Sequence, residues 1–248
     1  MSTDQGSVVT PEPSRASSAS LVTPAARQRV RDLATPIARG LGRLGLTPNA
    51  LTIIGFLGTC VAAFAAANEW WLAAGVLVLA FGIFDLFDGT LARATGRATK
   101  LGAFLDSTFD RAGEAIVYIG IAAGSLAAGF EVGAVLAAAA MAAAFMVSYT
   151  RAKAESLGFS SGSGLASIGL APREVRIAVL AIGLVSIGVL GAPTDCIRII
   201  DGVASDCFGD GLRTWEQVLA GTLGVITVLA AITAIQRILH VRAQSREG

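Results

Sequence analysis

Charged side chains are scarce in this sequence of 248 residues. Only 15% of the residues are Asp, Glu, Lys or Arg, whereas 54% are hydrophobic and the mean hydropathy is +0.67. Soluble domains contain about 25% charged residues, so this composition excludes an ordinary soluble domain and favours a membrane protein. The net charge of +1 identifies no class of partner by itself. We expect membrane lipids as surroundings and no nucleic-acid partner.

Cysteine is also scarce, and the three cysteines lack the spacing of a zinc site. Cys60 lies in an apolar run, while Cys196 and Cys207 share one polar segment. A disulfide between the latter two and a pair of free thiols both stay open, because sequence spacing does not give the distance between Cα atoms. Residues 1–22 lack the apolar core of a secretory signal, and we expect them to form a disordered tail.

Residues 23–47 have the pattern of an amphipathic helix rather than of a membrane span. Apolar residues such as Val30, Leu33 and Ile37 recur at spacings of three and four, and Arg31 lies off that face. We predict an interfacial helix whose arginines face anionic lipid headgroups. A helix packed on another protein is the alternative.

Six apolar segments follow, each long enough to cross about 30 Å of hydrocarbon. We therefore predict an all-α membrane domain at 48–242 with six transmembrane helices, and a short C-terminal tail at 243–248. Most Lys and Arg residues flank these segments on the side of the two termini, so the positive-inside rule predicts a multi-pass plasma-membrane protein with both termini cytoplasmic. The predicted spans are 49–68, 71–94, 102–128, 132–155, 172–191 and 215–239.

Four aspartates stand at the facing ends of the second and third spans. Asp85 and Asp88 are three residues apart, and Asp106 and Asp110 are four apart, so each pair lies on one helix face. Because we predict these two helices to be antiparallel neighbours, all four carboxylates should converge near the cytoplasmic edge. One carboxylate at the centre of a membrane helix costs about 2.5–3.5 kcal/mol, so the group needs compensating cations.

Three interpretations account for such a group: structural ion pairs, an ion or proton path, and a divalent-metal site. Arg93 and Arg111 are among the cations available for ion pairs. A metal site fits because hard cations take oxygen ligands and two ions can share carboxylates. Magnesium also pairs with phosphates, which predicts two Mg²⁺ ions, or Mn²⁺, beside a phosphate-bearing substrate. Transporters often contain internal repeats, whereas residues 132–248 hold no second copy of the acidic pattern.

The spacing within residues 85–110 resembles the signature of the CDP-alcohol phosphotransferase family. Asp-x-x-Asp-Gly-x-x-Ala-Arg is followed, after eight residues, by Gly-x-x-x-Asp-x-x-x-Asp. The fixed positions of the signature are filled by Asp85, Asp88, Gly89, Ala92, Arg93, Gly102, Asp106 and Asp110. The resemblance implies six spans preceded by an interfacial helix, usually in a homodimer.

The resemblance also implies roles for individual residues. Asp85, Asp88 and Asp106 would bind the metals, and Asp110 would complete the second metal site and act as the general base. The substrate CDP-diacylglycerol would contact the signature together with the Thr-Pro-Asn-x-x-Thr stretch that opens the first span. The implied CDP-lipid contacts are Pro48, Asn49, Thr52, Asp85, Gly89, Arg93 and Thr99.

A second basic group lies on the same predicted side of the membrane, at the ends of the last three spans. The positive-inside rule explains any one of its members, but five converging on one cavity favour an anionic, phosphorylated alcohol as the acceptor. The group comprises Arg151, Lys153, Arg173, Arg176 and Arg237.

The segments 148–155 and 236–242 are similar to those of the actinobacterial phosphatidylinositol phosphate synthases within the family. This similarity implies transfer of a phosphatidyl group to inositol phosphate with release of CMP. Glycerol 3-phosphate, which would give phosphatidylglycerol phosphate, is the alternative acceptor. The alternative function that is not enzymatic is transport of a divalent cation or of protons.

Overall fold

The computed structural model of the chain consists mainly of long helices. It describes residues 35–37, 40–96, 98–159, 169–190, 197–200, 203–206 and 213–247. Six long helices lie in these ranges: α1 (Pro48–Ala67), α2 (Trp71–Ala94), α3 (Lys100–Ala127), α4 (Glu131–Ser156), α5 (Arg173–Leu190) and α6 (Thr214–Glu247). The predicted helical fold is confirmed, and the predicted spans match these bounds closely except that α6 continues well beyond residue 239.

Four of the described helices are long and apolar enough to cross a membrane, namely α1, α2 as far as Arg93, α4, and α6 as far as Arg246. The chain is thus a multi-pass membrane protein. Helices α3 and α5 are less apolar than these four, because each contains charged residues towards one end, such as Asp110 in α3 and Arg173 in α5. Six crossings stay a prediction.

The entry into α1 follows from its local sequence. Residues 35–37 and 40–43 are helical, whereas the tail at 1–22 and the rest of the predicted interfacial helix before residue 40 lie outside the described residues. Thr47 caps α1, because its hydroxyl accepts a hydrogen bond of 3.2 Å from the N–H of Ala50. Pro48 stands at the first helical position, where its missing N–H is not needed.

The described helices form a closed ring in which each one packs against two neighbours. The order around the ring is α1, α3, α4, α6, α5 and α2. The prediction that α2 and α3 are direct neighbours is wrong: in the described part of the chain α1 packs between them. The acidic ends of α2 and α3 therefore meet across the end of the ring.

Small residues explain why α1 occupies this position. Gly120 of α3 faces the backbone of Ala63 in α1, where a Cβ atom would lie 2.8 Å from the carbonyl carbon. Gly58 of α1 receives the ring of Phe81 from α2. Glycines allow such close approach between membrane helices. These contacts join residues far apart in sequence, so the spacing of the acidic motif gave no sign of them.

Aromatic packing closes the end of the ring away from the aspartates. Trp71, at the start of α2, stacks on Trp215, at the start of α6, with ring centroids 5.9 Å apart. Phe130, which precedes α4, packs edge-on against Trp215 at 5.7 Å. All three side chains are buried. The aromatic cluster thus closes one end of the ring, and the acidic cluster lies at the other.

Two short antiparallel strands lie between α5 and α6 in the chain, in a segment that was predicted from the sequence to be a polar loop. Strand β1 (Ile197–Ile200) pairs with β2 (Val203–Asp206), and Ile200 lies opposite Val203. Isoleucine and valine favour strands, and Asp-Gly between them in the sequence is typical of a two-residue turn. Cys196 and Cys207 lie outside the described residues, so their disulfide stays a prediction.

Candidate active site

Three carboxylates converge at the open end of the ring. Asp85 extends from α2, and Asp106 and Asp110 lie one turn apart on α3. One oxygen from each lies within 4.8 Å of the others, and all three residues are half-buried. Three of the four predicted aspartates are thus brought together. The side chain of Asp88 lies outside the described residues.

This donor set fits a divalent metal. Carboxylate oxygens are the ligands that Mg²⁺ and Mn²⁺ prefer. Two oxygens bound to one Mg²⁺ are at most about 4.2 Å apart, which is twice a metal–oxygen bond. The observed separation, up to 4.8 Å, needs only a small side-chain movement to match one ion, and it leaves room for carboxylates that bridge two.

Arg173, the first residue of α5, offsets part of the negative charge. Its Nη1 donates to Oδ2 of Asp85 and lies 2.9 Å from Oδ1 of Asp110. Pairing with a cation reduces the free-energy cost of partly burying two carboxylates. Of the cations that the sequence suggested for ion pairs, Arg111 lies 3.5 Å from Oδ2 of Asp110. The shorter ion pairs are those of Arg173, which the sequence assigned to the acceptor phosphate.

A cavity of about 190 Å³ opens beside Asp106, between the ends of α1, α2 and α3. Thr99 shapes its rim by capping α3, because its hydroxyl accepts a hydrogen bond of 3.0 Å from the N–H of Gly102. A Cβ on Gly102 would lie 3.1 Å from Oδ1 of Asn49, so a larger residue there would narrow the cavity. The lining includes six of the seven residues predicted to contact the CDP-lipid: Pro48, Asn49, Thr52, Gly89, Arg93 and Thr99.

Asp85, the seventh residue predicted to contact the CDP-lipid, does not line that cavity. It lines a second cavity of about 490 Å³, together with Asp110. Since Asp106 lines the first cavity and the other two aspartates line the second, the carboxylates form a wall shared by both. A group bound in one cavity would meet a group bound in the other at the acidic cluster.

Arginines dominate the polar lining of the second cavity. Four of the five predicted acceptor residues are there, and Arg111, which the sequence suggested only as a countercharge, joins them. The fifth, Lys153, is exposed and is not among the lining residues. The lining arginines are Arg111, Arg151, Arg173, Arg176 and Arg237.

These arginines are held by different partners. Arg237 is 4% exposed and donates through Nη1 to the carbonyl of Val147 in α4. The Nε of Arg151 donates to Oε1 of Glu155 at 2.8 Å on the surface of α4. Each interaction limits the directions in which a guanidinium can point, so the cavity presents cations that are already oriented.

Glu114 is a residue of the site that was not predicted from the sequence. It lies on α3 one turn beyond Asp110 and forms a two-pronged ion pair with Arg176. The spacing of four residues from Asp110 is a signal that could have found it, because such spacing places both on one helix face.

The fold and the site together define a class of membrane enzyme. A ring of helices carries the acidic motif at one end, between a cavity lined by the motif and a cavity lined by arginines. The family model of the CDP-alcohol phosphatidyltransferases matches residues 45–236, and the chain belongs to this family.

Relatives with assigned names point to one branch of the family. The archaetidylinositol phosphate synthase of Pyrococcus horikoshii is 40% identical over 156 residues, which are 63% of this chain and 78% of the relative. The phosphatidylinositol phosphate synthase of Cutibacterium acnes is 34% identical over 212 residues, which are 84% of this chain and 91% of that protein.

Solved structures agree with these relatives. The crystal structure of Mycobacterium tuberculosis phosphatidylinositol phosphate synthase with CDP-DAG bound matches with a TM-score of 0.67 and 27% identity, covering 85% of this chain and 94% of that one. A crystal structure of the same mycobacterial enzyme in complex with manganese and citrate matches with a TM-score of 0.66, covering 84% and 88%.

Proposed function

We propose that this protein transfers a phosphatidyl group from CDP-diacylglycerol to inositol phosphate and releases CMP. The observation that carries the proposal is the acidic cluster shared by two cavities, one lined by the signature residues and the other by arginines. Both named relatives make inositol phosphate lipids, which favours inositol phosphate over glycerol 3-phosphate as the acceptor.

The nucleotide half of the donor would lie in the cavity beside Asp106. Small residues such as Gly89 and Ala92 leave room there for a flat base, and Arg93 offers a cation. Metal held by Asp85, Asp88, Asp106 and Asp110 would supply positive charge to the diphosphate when bound. These residues are assigned by the family signature, and the grouping of Asp85, Asp106 and Asp110 in one place supports the assignment.

The acceptor would enter from the arginine-lined cavity. A phosphate on the acceptor would pair with Arg151, Arg173 and Arg237, since a guanidinium forms strong, directional hydrogen bonds with phosphate oxygens. This grip would orient the alcohol towards Asp110. Lys153 was also predicted to contact the phosphate, and its exposed position gives it the least support.

The reaction needs one proton acceptor and one substitution at phosphorus. Asp110 lines the acceptor cavity and would take the proton of the acceptor hydroxyl. The hydroxyl oxygen forms a bond to the phosphorus that carries diacylglycerol, and the bond between that phosphorus and the oxygen of CMP breaks. CMP leaves with the electron pair of that bond, and the proton stays on Asp110 until it passes to solvent.

The same proposal includes six membrane crossings, an interfacial helix at 23–47, cytoplasmic termini and a homodimer. With 28 and 18 residues, α3 and α5 are about 42 and 27 Å long, close to or above the thickness of the hydrocarbon layer. Short connections such as 68–70 and 128–130 reverse the chain between helices. The number of crossings is tested by fusing alkaline phosphatase to the N-terminus or to the C-terminus. Six crossings place both fusions on the same side of the membrane, whereas an odd number would place them on opposite sides.

The acceptor is tested with purified protein in detergent, Mg²⁺ and CDP-diacylglycerol, supplied in parallel with inositol phosphate, glycerol 3-phosphate, inositol or serine. We expect CMP release and a new phospholipid with inositol phosphate. Preference for glycerol 3-phosphate would contradict the inositol assignment. If none of the four alcohols led to CMP release, the proposed transfer itself would be contradicted.

A further inference from the structure

The ion pair of Glu114 with Arg176 lies at the acceptor cavity but takes no part in the proposed reaction. Nε and Nη2 of Arg176 each donate to one oxygen of Glu114 at 2.8 Å, and Nη1 donates to the carbonyl of Ala171 at 2.9 Å. The two charged side chains are 2% and 8% exposed. Most of the donors of this guanidinium are therefore engaged within the protein.

The pair joins two helices directly behind the acidic cluster. Glu114 lies one turn beyond Asp110 on α3, and Arg176 lies one turn beyond Arg173 on α5. Arg173 in turn contacts Asp85 and Asp110. By bridging α3 and α5 across the ring at this level, the pair fixes the height and rotation at which Arg173 meets the carboxylates.

The same hydrogen bonds continue to the opposite wall of the cavity. Ala171, whose carbonyl accepts from Arg176, donates its N–H to Oγ1 of Thr233 on α6 at 3.0 Å. Thr233 lies one turn before Arg237, which lines the acceptor cavity. A continuous connection therefore runs from Glu114 through the start of α5 to the turn that carries Arg237.

We infer that Glu114 and Arg176 are a positioning pair, which holds Arg173 and Arg237 in place for the acceptor phosphate. Arg176 is then not a phosphate ligand, in contrast to its sequence-based assignment. The inference rests on the proposed transfer to a phosphorylated alcohol. Its strongest consequence concerns Glu114, because an anion beside the cavity would by itself weaken phosphate binding.

The two possible roles of Arg176, phosphate ligand and member of a positioning pair, predict different changes in the acceptor KM for Glu114→Gln. If Arg176 were a phosphate ligand, removal of its anionic partner would leave the acceptor KM unchanged or lower it. If the pair positions the other arginines, the same change raises the acceptor KM. A displacement of about 1 Å can reduce the efficiency of an enzyme on the order of 100-fold, so we expect an increase of about tenfold or more.

The experiment compares Glu114→Gln, Arg176→Gln and the double variant with the wild-type protein, measuring kcat and both KM values. We expect each single variant to raise the acceptor KM, and the double variant to be no worse than the worse single one, because both changes remove the same interaction. The KM for CDP-diacylglycerol should stay the same, since neither residue lines that cavity. Glu131→Gln, an exposed position at the far end of α4, is the control and should change neither KM.

Additive effects of the two changes, or an acceptor KM that falls in Glu114→Gln, would overturn the inference. A lower kcat with both KM values unchanged would do the same, because it reports only a smaller folded fraction. A single variant leaves one buried charge unpaired and can fail to fold. In that case the double variant is combined with Arg237→Ala: an acceptor KM raised less by Arg237→Ala in the double variant than in the wild type supports the positioning pair, whereas additive effects, or a wild-type KM in the double variant, contradict it.

Failure of the positioning pair can be distinguished from failure of the inositol phosphate assignment. If the wild-type protein uses another phosphorylated alcohol, the inositol assignment fails, and the same comparison is made with that alcohol. If the wild-type protein uses only uncharged alcohols, no phosphate needs to be positioned and the inference fails as well.

Discussion

Replacement of Gly120 by alanine should weaken the packing of α3 against α1 and so destabilise the ring. A Cβ atom at this position would lie 2.8 and 2.9 Å from the carbonyl carbon and Cα of Ala63, and closer still to its oxygen. Carbon atoms in contact are about 3.5–4.0 Å apart, so the helices would have to separate by about 1 Å. Backbone atoms cannot rotate away as a side chain can.

Overpacking of this kind costs about 1–3 kcal/mol. For a chain of this length each kcal/mol shifts the melting temperature by about 2–4 °C, so we expect a decrease of several degrees. Thermal unfolding of the purified protein in detergent, followed by tryptophan fluorescence and by size-exclusion chromatography of heated samples, measures the change.

Gly221→Ala is the matched control, because Gly221 is an exposed helical glycine of α6 with nothing within 4 Å of its Cβ position. Its melting temperature should equal that of the wild-type protein or exceed it slightly, since alanine favours a helix over glycine. If both variants melted together with the wild type, α1 would not lie against Gly120 and the ring order would be wrong.

Three further changes test the site. Asp110→Asn should abolish turnover, because an amide cannot take the hydroxyl proton, while CDP-diacylglycerol binding is largely retained. Loss of CDP-diacylglycerol binding in calorimetry would instead show that Asp110 acts mainly in binding that substrate. Arg151→Ala should raise the acceptor KM more than Lys153→Ala, because only Arg151 lines the cavity, and the reverse order would contradict the acceptor site. Removal of divalent metal with EDTA should stop CMP release, and added Mg²⁺ or Mn²⁺ should restore it; activity that persists in EDTA would contradict a metal-dependent transfer.

Local spacing made the acidic cluster predictable. Carboxylates three or four residues apart on a helix share a face whatever the rest of the chain does, so the convergence of Asp106 and Asp110 needed no tertiary information. Helix positions were equally predictable, because the length of each apolar segment reflects the thickness of the membrane. The order of the helices was not, since it depends on contacts such as that of Gly120 with Ala63.

The acceptor site was only partly predictable, because its arginines come from four helices whose rotations are set by packing. The basic group included both Arg151 and Lys153, which are two residues apart and so point in different directions from α4. Val147 and Ala154, both buried, share a face with Arg151. In the sequence, the apolar residues four before and three after Arg151 are the signal that Arg151 faces the interior. Positive charge alone did not distinguish Arg151 from Lys153.

Binding of manganese to the aspartates tests the central claim most directly. The electron paramagnetic resonance signal of free Mn²⁺ decreases when the ion binds, so titration of the purified protein with CDP-diacylglycerol present counts the bound ions. We expect saturable binding of two ions to the wild-type chain, and loss of at least one in Asp106→Asn and in Asp85→Asn. Unchanged binding in both variants would show that these carboxylates do not form the metal centre.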